Sequence, residues 1–153
     1  MTSLYFEEAE VGNKRTAGLH LVLKDEIIEF AKKYDPQPFH INEEAAARSA
    51  FAGLTASSAH TFSILISLLV KTEPSLKVVA GLGWDELRLP TAVRSGDELD
   101  LESIVLEKRE SKSNSDRGIV RHQVYVRNQK REIVLQAIGT VLVARRPVEK
   151  SSN

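Results

Sequence analysis

The sequence contains no cysteine, and this absence excludes several kinds of site at once. A chain without thiols cannot build a disulfide framework, a thiolate zinc site or a cysteine nucleophile. The spacing of its histidines and acids also matches no metal motif, such as two histidines four residues apart on a helix. We therefore expect no metal, and a protein suited to a reducing cytoplasm.

An excess of charge is lacking too, because 21 basic side chains balance 21 acidic ones. Without a positive field the chain is poorly equipped to hold a nucleic acid backbone, so we expect no nucleic acid partner. The longest apolar run, Phe62–Val70, contains serines and is too short to cross a bilayer. The first ten residues carry acids but no basic side chain, unlike a targeting signal. We expect a soluble cytoplasmic protein with no membrane partner.

The first half of the chain carries helical patterns. Apolar residues at helical spacing predict a helix over Lys24–Tyr34, which Pro36 must end because the residue before a proline disfavours the helical conformation. A short capped helix is predicted over Glu43–Ala50, and a largely apolar, buried helix over Ser57–Lys71. Between the first two helices, two prolines make Asp35–His40 a stiff loop.

The second half is rich in β-formers and predicts four long antiparallel strands, Val78–Leu89, Glu98–Arg109, Gly118–Asn128 and Ile133–Arg145. Early helices and late strands indicate an α+β domain in which one central helix is wrapped by an antiparallel sheet. We expect this domain to cover residues 1–146 and to be followed by a disordered tail, residues 147–153. The edge of such a sheet pairs well with a second copy, so we expect a homodimer or a larger homo-oligomer.

The sharpest local feature is Asp35-Pro-Gln-Pro-Phe-His40, which holds two titratable groups at a stiff spacing. Two titratable groups at a stiff spacing suit proton transfer. One reaction with this need is the addition of water to an enoyl thioester, in which a base takes a proton from water and an acid delivers one to the α-carbon. Backbone N–H groups at the helix that begins near Ser57 could hold the charge on the thioester oxygen. The alternative is that Asp35 only caps a turn and His40 is a surface or interface residue.

The stretch Tyr34–Ala47 resembles the Asp-x-x-Pro-x-His signature of the MaoC-like dehydratases and (R)-specific enoyl-coenzyme A hydratases, and Phe51–Thr61 resembles the entry to their central helix. The similarity spans about residues 4–146. It implies a hotdog fold and an active site at a subunit interface, with Asp35 and His40 as the catalytic pair. The implied reaction is hydration of 2-enoyl thioesters or dehydration of 3-hydroxyacyl thioesters, with coenzyme A or an acyl carrier as part of the substrate and no separate cofactor.

The chain departs from that signature at two places. The family usually has Asn two places after the Asp, where this chain has Gln37, and a His-Gly pair at the helix entrance, where it has Ser57-Ser58. The oxyanion role therefore passes to the Ser58 N–H. The candidates for lining the substrate pocket are Gln37, Phe39, Ser57, His60, Ser63 and Trp84. A core or interface role is at least as typical for His60 and more typical for Trp84. His20 and His122 lie in strand-like runs and are interpreted as structural or exposed.

Two other functions stay open at this point. A hotdog thioesterase would take the same ligand but hydrolyse its carbon–sulfur bond, and a non-catalytic subunit would only bind an acyl thioester. The pairing of Asp35 with His40 favours hydration over both. Chain length is undetermined, and serines together with His60 near the expected pocket mouth suggest a polar or branched acyl group.

Overall fold

A computed structural model describes residues 2–149, whose helices lie in the first half of the chain as predicted. They are α1 (Lys24–Tyr34), α2 (Pro38–Ile41), α3 (Glu43–Ala47) and α4 (Ser58–Leu69), preceded by a single 3-10 turn (Phe6–Glu8). Residues 147–149 of the expected tail have no regular secondary structure, and residues 150–153 lie outside the described residues. None of the described helices is long and apolar enough to cross a membrane.

The strands are β1 (Ser3–Leu4), β2 (Lys14–Leu21), β3 (Ser75–Leu76), β4 (Val78–Arg88), β5 (Glu98–Glu110), β6 (Arg117–Arg127) and β7 (Ile133–Ala144). Five of them form an antiparallel sheet in the order β2-β5-β6-β7-β4, while β1 and β3 pair separately and in parallel. The four predicted strands are confirmed to within one residue at each end. The strand β2 was not among the four predicted strands, although His20 was placed in a strand-like run. Arg15 is its one buried residue, and no apolar alternation marks the strand.

The helix predictions need two corrections. The segment Asp35–His40 is not entirely a loop, because Pro38 begins the one-turn helix α2 after an extended Gln37. The fixed φ of proline suits the first position of a helix. The helix α3 is capped by the Asn42 side chain as predicted, but it ends at Ala47, and the chain then turns through Ala52 with a positive φ of 53°.

The helix α4 packs on one face of the five-stranded sheet, against β2, β5 and β7. Its buried side chains are His60, Thr61, Ile64, Leu65 and Leu68. The opposite face remains exposed in the single chain, where Ile66 keeps 39% and Val70 64% of its accessible surface. The prediction of a helix buried on every side is therefore wrong for one copy, since the chain's own sheet covers only one face.

Candidate active site

The loop after α1 and the short helix α2 bring Asp35 and His40 together. The Nε2 atom of His40 lies 3.7 Å from Oδ2 of Asp35, and its Nδ1 atom lies 2.7 Å from the carbonyl oxygen of Thr55. Because a carbonyl can only accept, Nδ1 carries the hydrogen, and Nε2 of the neutral ring turns a lone pair toward Asp35. The 3.7 Å separation is too long for a good direct hydrogen bond but suits two groups that share one water molecule.

The two members of this pair differ in their exposure. The side chain of His40 keeps 8% of its accessible surface and that of Asp35 keeps 28%. The ring of Phe39 packs edge-on against the His40 ring, with centroids 4.5 Å apart, and Phe51 packs against Phe39 in turn. The imidazole is thus fixed by Thr55 and by aromatic packing, while the carboxylate can be reached from solution.

The contact with Thr55 also places the pair beside the N-terminus of α4, which begins three residues later. Ser57 caps this helix, since its Oγ accepts a hydrogen bond of 3.2 Å from the His60 N–H. Within the described residues, the N–H groups of Ser58 and Ala59 have no hydrogen-bond acceptor. These two exposed donors at the positive end of the helix dipole can hold a developing negative charge.

Three other pocket candidates, Gln37, Ser57 and Ser63, differ in their exposure and hydrogen bonds. Gln37 is exposed at the start of α2, and Ser57 is fully buried and occupied as the helix cap. Ser63 is exposed, and its hydroxyl donates to the Ala59 carbonyl at 2.9 Å. None of the residues that the structure describes forms a cluster of three or more His, Asp or Glu side chains able to hold a metal ion.

His60 forms a hydrogen bond with Glu26 on α1, a residue that was not among the candidates from the sequence. Its Nε2 lies 2.9 Å from Oε1 of Glu26, the same oxygen that lies 2.8 Å from Nε2 of His20. The ring of Phe30 stacks on His60 with centroids 4.7 Å apart. Burial tends to raise the pKa of Glu26, but the hydrogen bonds to His60 and His20 outweigh it and lower that pKa below its ordinary value of 4.5. The core alternative for His60 fits these contacts better than a place in the pocket.

Trp84 lies at a cavity of about 410 Å³ beside the second half of α4. Its ring packs edge-on against Phe62, with centroids 5.3 Å apart. The same cavity is lined by Arg15 and His122, both buried. Sequence reasoning missed this pair, because β2 was not predicted and the inward position of His122 alone is equally typical of a core residue.

Comparisons with known proteins agree with this architecture. The model of the MaoC like domain family matches residues 7–128. A MaoC-like dehydratase from Rhodospirillum rubrum is 42% identical, with a TM-score of 0.88 over 95% of this chain and 100% of that one. A monoamine oxidase regulatory protein from Archaeoglobus is 26% identical, with a TM-score of 0.85 over 96% and 98% of the two chains. An R-hydratase from Pseudomonas aeruginosa is 26% identical, with a TM-score of 0.74 over 99% and 94%.

Proposed function

Since the chain belongs to the MaoC-like domain family, we propose that it is a hydro-lyase that adds water reversibly across the double bond of 2-enoyl thioesters, with Asp35 and His40 as its catalytic pair. The observation that carries the proposal is the 3.7 Å gap between Asp35 Oδ2 and His40 Nε2 beside the free amides of α4. The fold and the similarity to a dehydratase and an R-hydratase support the same class of reaction. The substrate is an acyl thioester of coenzyme A or of a carrier protein.

In the hydration direction, one water molecule binds between the two side chains. It donates one hydrogen to the Asp35 carboxylate and the other to the lone pair of His40 Nε2, which leaves an oxygen lone pair free to attack C3 of the substrate. As the carbon–oxygen bond forms, the pair takes one proton from the water, and the electrons of the double bond move to the thioester oxygen. The N–H groups of Ser58 and Ala59 stabilise this enolate-like charge. The pair then returns the proton to C2.

We also propose that the working enzyme is a homodimer. The strand β4 forms an edge of the sheet and exposes large apolar side chains, among them Val79 at 49% and Leu82 at 53% of their accessible surface. A long apolar edge strand pairs readily with another strand. A second copy placed here would cover the exposed face of α4 and narrow the open side of the catalytic pair.

The deciding experiment follows the loss of enoyl-thioester absorbance with crotonyl-CoA and longer or branched analogues. We expect the wild type to hydrate at least one of them, and Asp35→Asn and His40→Ala to lower kcat/KM by about a hundredfold or more, because each removes half of the proton-transfer pair. Asp25→Asn, an exposed acid in the first turn of α1, is the matched control and should retain the wild-type rate. Wild-type inertness on every substrate, or full activity of the two site variants, would exclude the assignment.

The same reactions separate hydration from the thioesterase alternative. Because the chain contains no cysteine, any thiol that appears in a reaction with a thiol reagent comes from coenzyme A. We expect no thiol release with saturated acyl-CoA substrates. Rapid thiol release would establish a thioesterase, whereas binding without turnover of any thioester would indicate a non-catalytic subunit.

A further inference from the structure

A row of polar side chains crosses the inner face of the sheet and takes no part in the chemistry above. Arg15 on β2 pairs in register with Ser103 on β5, and its Nη2 donates to the Ser103 hydroxyl at 3.0 Å. The Ser103 hydroxyl lies 2.9 Å from Nδ1 of His122 on β6. All three residues are buried.

The charge of Arg15 is buried without an anion. The residue keeps 4% of its accessible surface, and its guanidinium donates only to the hydroxyls of Thr72, at 3.2 Å, and Ser103. No ion pair to Arg15 exists among residues 2–149, and its Nε has no acceptor. Burial lowers the pKa of Arg15 to about 10, which still leaves it charged near neutral pH. A buried cation with unused donors favours an anionic ligand.

His122 supplies a second unused donor at the same place. The Ser103 hydroxyl accepts from Arg15, and its own hydrogen has no acceptor among the described residues other than Nδ1 of His122, to which it therefore donates. The hydrogen of the neutral imidazole then resides on Nε2, which is buried and has no acceptor among the described residues. Arg15 and His122 thus each carry an N–H group that has no acceptor among the described residues, and both residues line the cavity of about 410 Å³.

The cavity lies in line with the candidate oxyanion site. Ser58, Phe62 and Ile66 follow one another at four-residue spacing, so they share one face of α4, and Ile66 lines the cavity. Eight residues of helix separate Ser58 from Ile66, a rise of ~12 Å along the axis. Leu69 also lines the cavity, whose wall is mainly apolar and includes Ser75 and Thr140 as further polar residues. An acyl chain of medium length, held by its thioester oxygen at Ser58, would reach the cavity with its far end.

Building on the proposed hydratase function, we propose that Arg15 and His122 bind a carboxylate at the far end of the acyl chain, so that ω-carboxylated enoyl thioesters are the preferred substrates. The carboxylate would accept hydrogen bonds from Arg15 and from Nε2 of His122, and it would neutralise the buried guanidinium. The apolar cavity wall would hold the methylene groups between the two polar ends. The binding of this carboxylate is separate from the chemistry at Asp35 and His40, and the proposed reaction there stays the same.

The test compares octenoyl-CoA with octenedioyl-CoA, each with its double bond next to the thioester. We expect the wild type to favour the carboxylated substrate by about ten- to a hundredfold in kcat/KM, the range of a charged hydrogen bond. Arg15→Met should bring the ratio of the two kcat/KM values to about one, because the side chain keeps its bulk but loses its charge and donors. Arg15→Lys should retain part of the preference. Arg121→Met, which removes an arginine paired with Glu107 elsewhere on the sheet, should keep the wild-type ratio.

A binding measurement keeps the inference distinguishable from the proposed function. Calorimetry with the saturated analogues octanoyl-CoA and suberyl-CoA needs no turnover, and we expect tighter binding of suberyl-CoA to the wild type and no such preference in Arg15→Met. That result would support the carboxylate site even if no enoyl thioester were hydrated. If octenoyl-CoA and octenedioyl-CoA were hydrated with equal kcat/KM, and octanoyl-CoA and suberyl-CoA bound with equal affinity, the carboxylate site would be excluded. The proposed hydratase function would be unaffected by that result. Should Arg15→Met fail to fold, His122→Asn removes the Nε2 donor, and an unchanged ratio in that variant would equally overturn the proposal.

Discussion

At the scale of single residues, the buried imidazole of His122 couples the stability of the fold to pH. Burial, aided by the positive charge of Arg15, lowers the pKa of His122 from 6.5 to about 4. Between these two pH values the unfolded chain binds a proton that the folded chain does not. The free energy of unfolding must therefore fall as pH decreases through this window, and the full shift corresponds to about 3 kcal/mol. Below about pH 4 the folded chain also binds the proton, and this loss ends.

We expect His122→Asn to flatten that pH dependence, because its amide can still accept from Ser103 but does not titrate. The measurement is urea unfolding of wild type and variant at several pH values above about pH 5. Because the pKa of Glu26 is lowered below 4.5, this carboxylate changes the free energy of unfolding mainly below pH 4.5. It therefore does not obscure the pH range in which His122 acts. Parallel curves for the two proteins would contradict a neutral, buried His122.

A pair of site residues was predictable from the sequence when its two members lie close together along the chain, and was missed when they lie far apart. Asp35 and His40 share one short motif, so their proximity was predictable. Arg15 and His122 meet only because Ser103 bridges strands whose register no local pattern reveals. The Thr55 carbonyl that orients His40 was equally hidden, since any residue could offer a backbone oxygen at that position.

At the scale of elements, the N-terminus of α4 allows one backbone donor to be removed without disturbing the helix. Ser58 is the first helical residue, where proline is well tolerated, and Ser57 before it is already extended, with φ −65° and ψ 157°. We expect Ser58→Pro to lower kcat for hydration by about a hundred- to a thousandfold, because it deletes a donor to the thioester oxygen. The measurement is the enoyl-CoA absorbance assay.

The control for this change is Ser58→Ala, which keeps the N–H and should remain close to wild type in rate. Urea unfolding should show little change in the free energy of unfolding of either variant, since the N–H of Ser58 has no partner within the described residues. An active Ser58→Pro enzyme would show that the Ser58 amide does not hold the oxyanion.

The elements themselves were largely predictable where a pattern repeated several times. The four long strands are rich in β-forming residues, with alternation clearest in β6 and β7, and α1 carries helical spacing; the bounds of all five agree with the structure. The turn α2 and the strand β2 lack such repetition. The helix α2 has only four residues, and β2 turns a single buried arginine inward. Tertiary contacts rather than local periodicity hold both of them.

At the scale of the whole molecule, one chain leaves an apolar surface that its own sheet does not cover. Ile66 on α4, Val70 directly after it, and Val79 and Leu82 on β4 all keep more than a third of their accessible surface. This explains why α4 has an apolar composition on every side while only one of its faces is buried in the single copy. The exposed apolar side chains of α4 are the surface that the proposed dimer would bury, so burial predicted from the helix's composition exceeds the burial in one chain.

We expect the wild type to be a homodimer, and Leu82→Glu to make it monomeric, because the change places a charge in the middle of this apolar edge. Sedimentation equilibrium would measure the mass. If the proposed dimer covers the exposed side of the Asp35 and His40 pair, enoyl-CoA hydration should fall together with the fraction of dimer. Leu106→Glu, at a position on β5 with 40% exposure, is the matched control and should stay dimeric and active. A dimeric Leu82→Glu protein would place the interface elsewhere, whereas a fully active monomer would show that one chain forms the complete site.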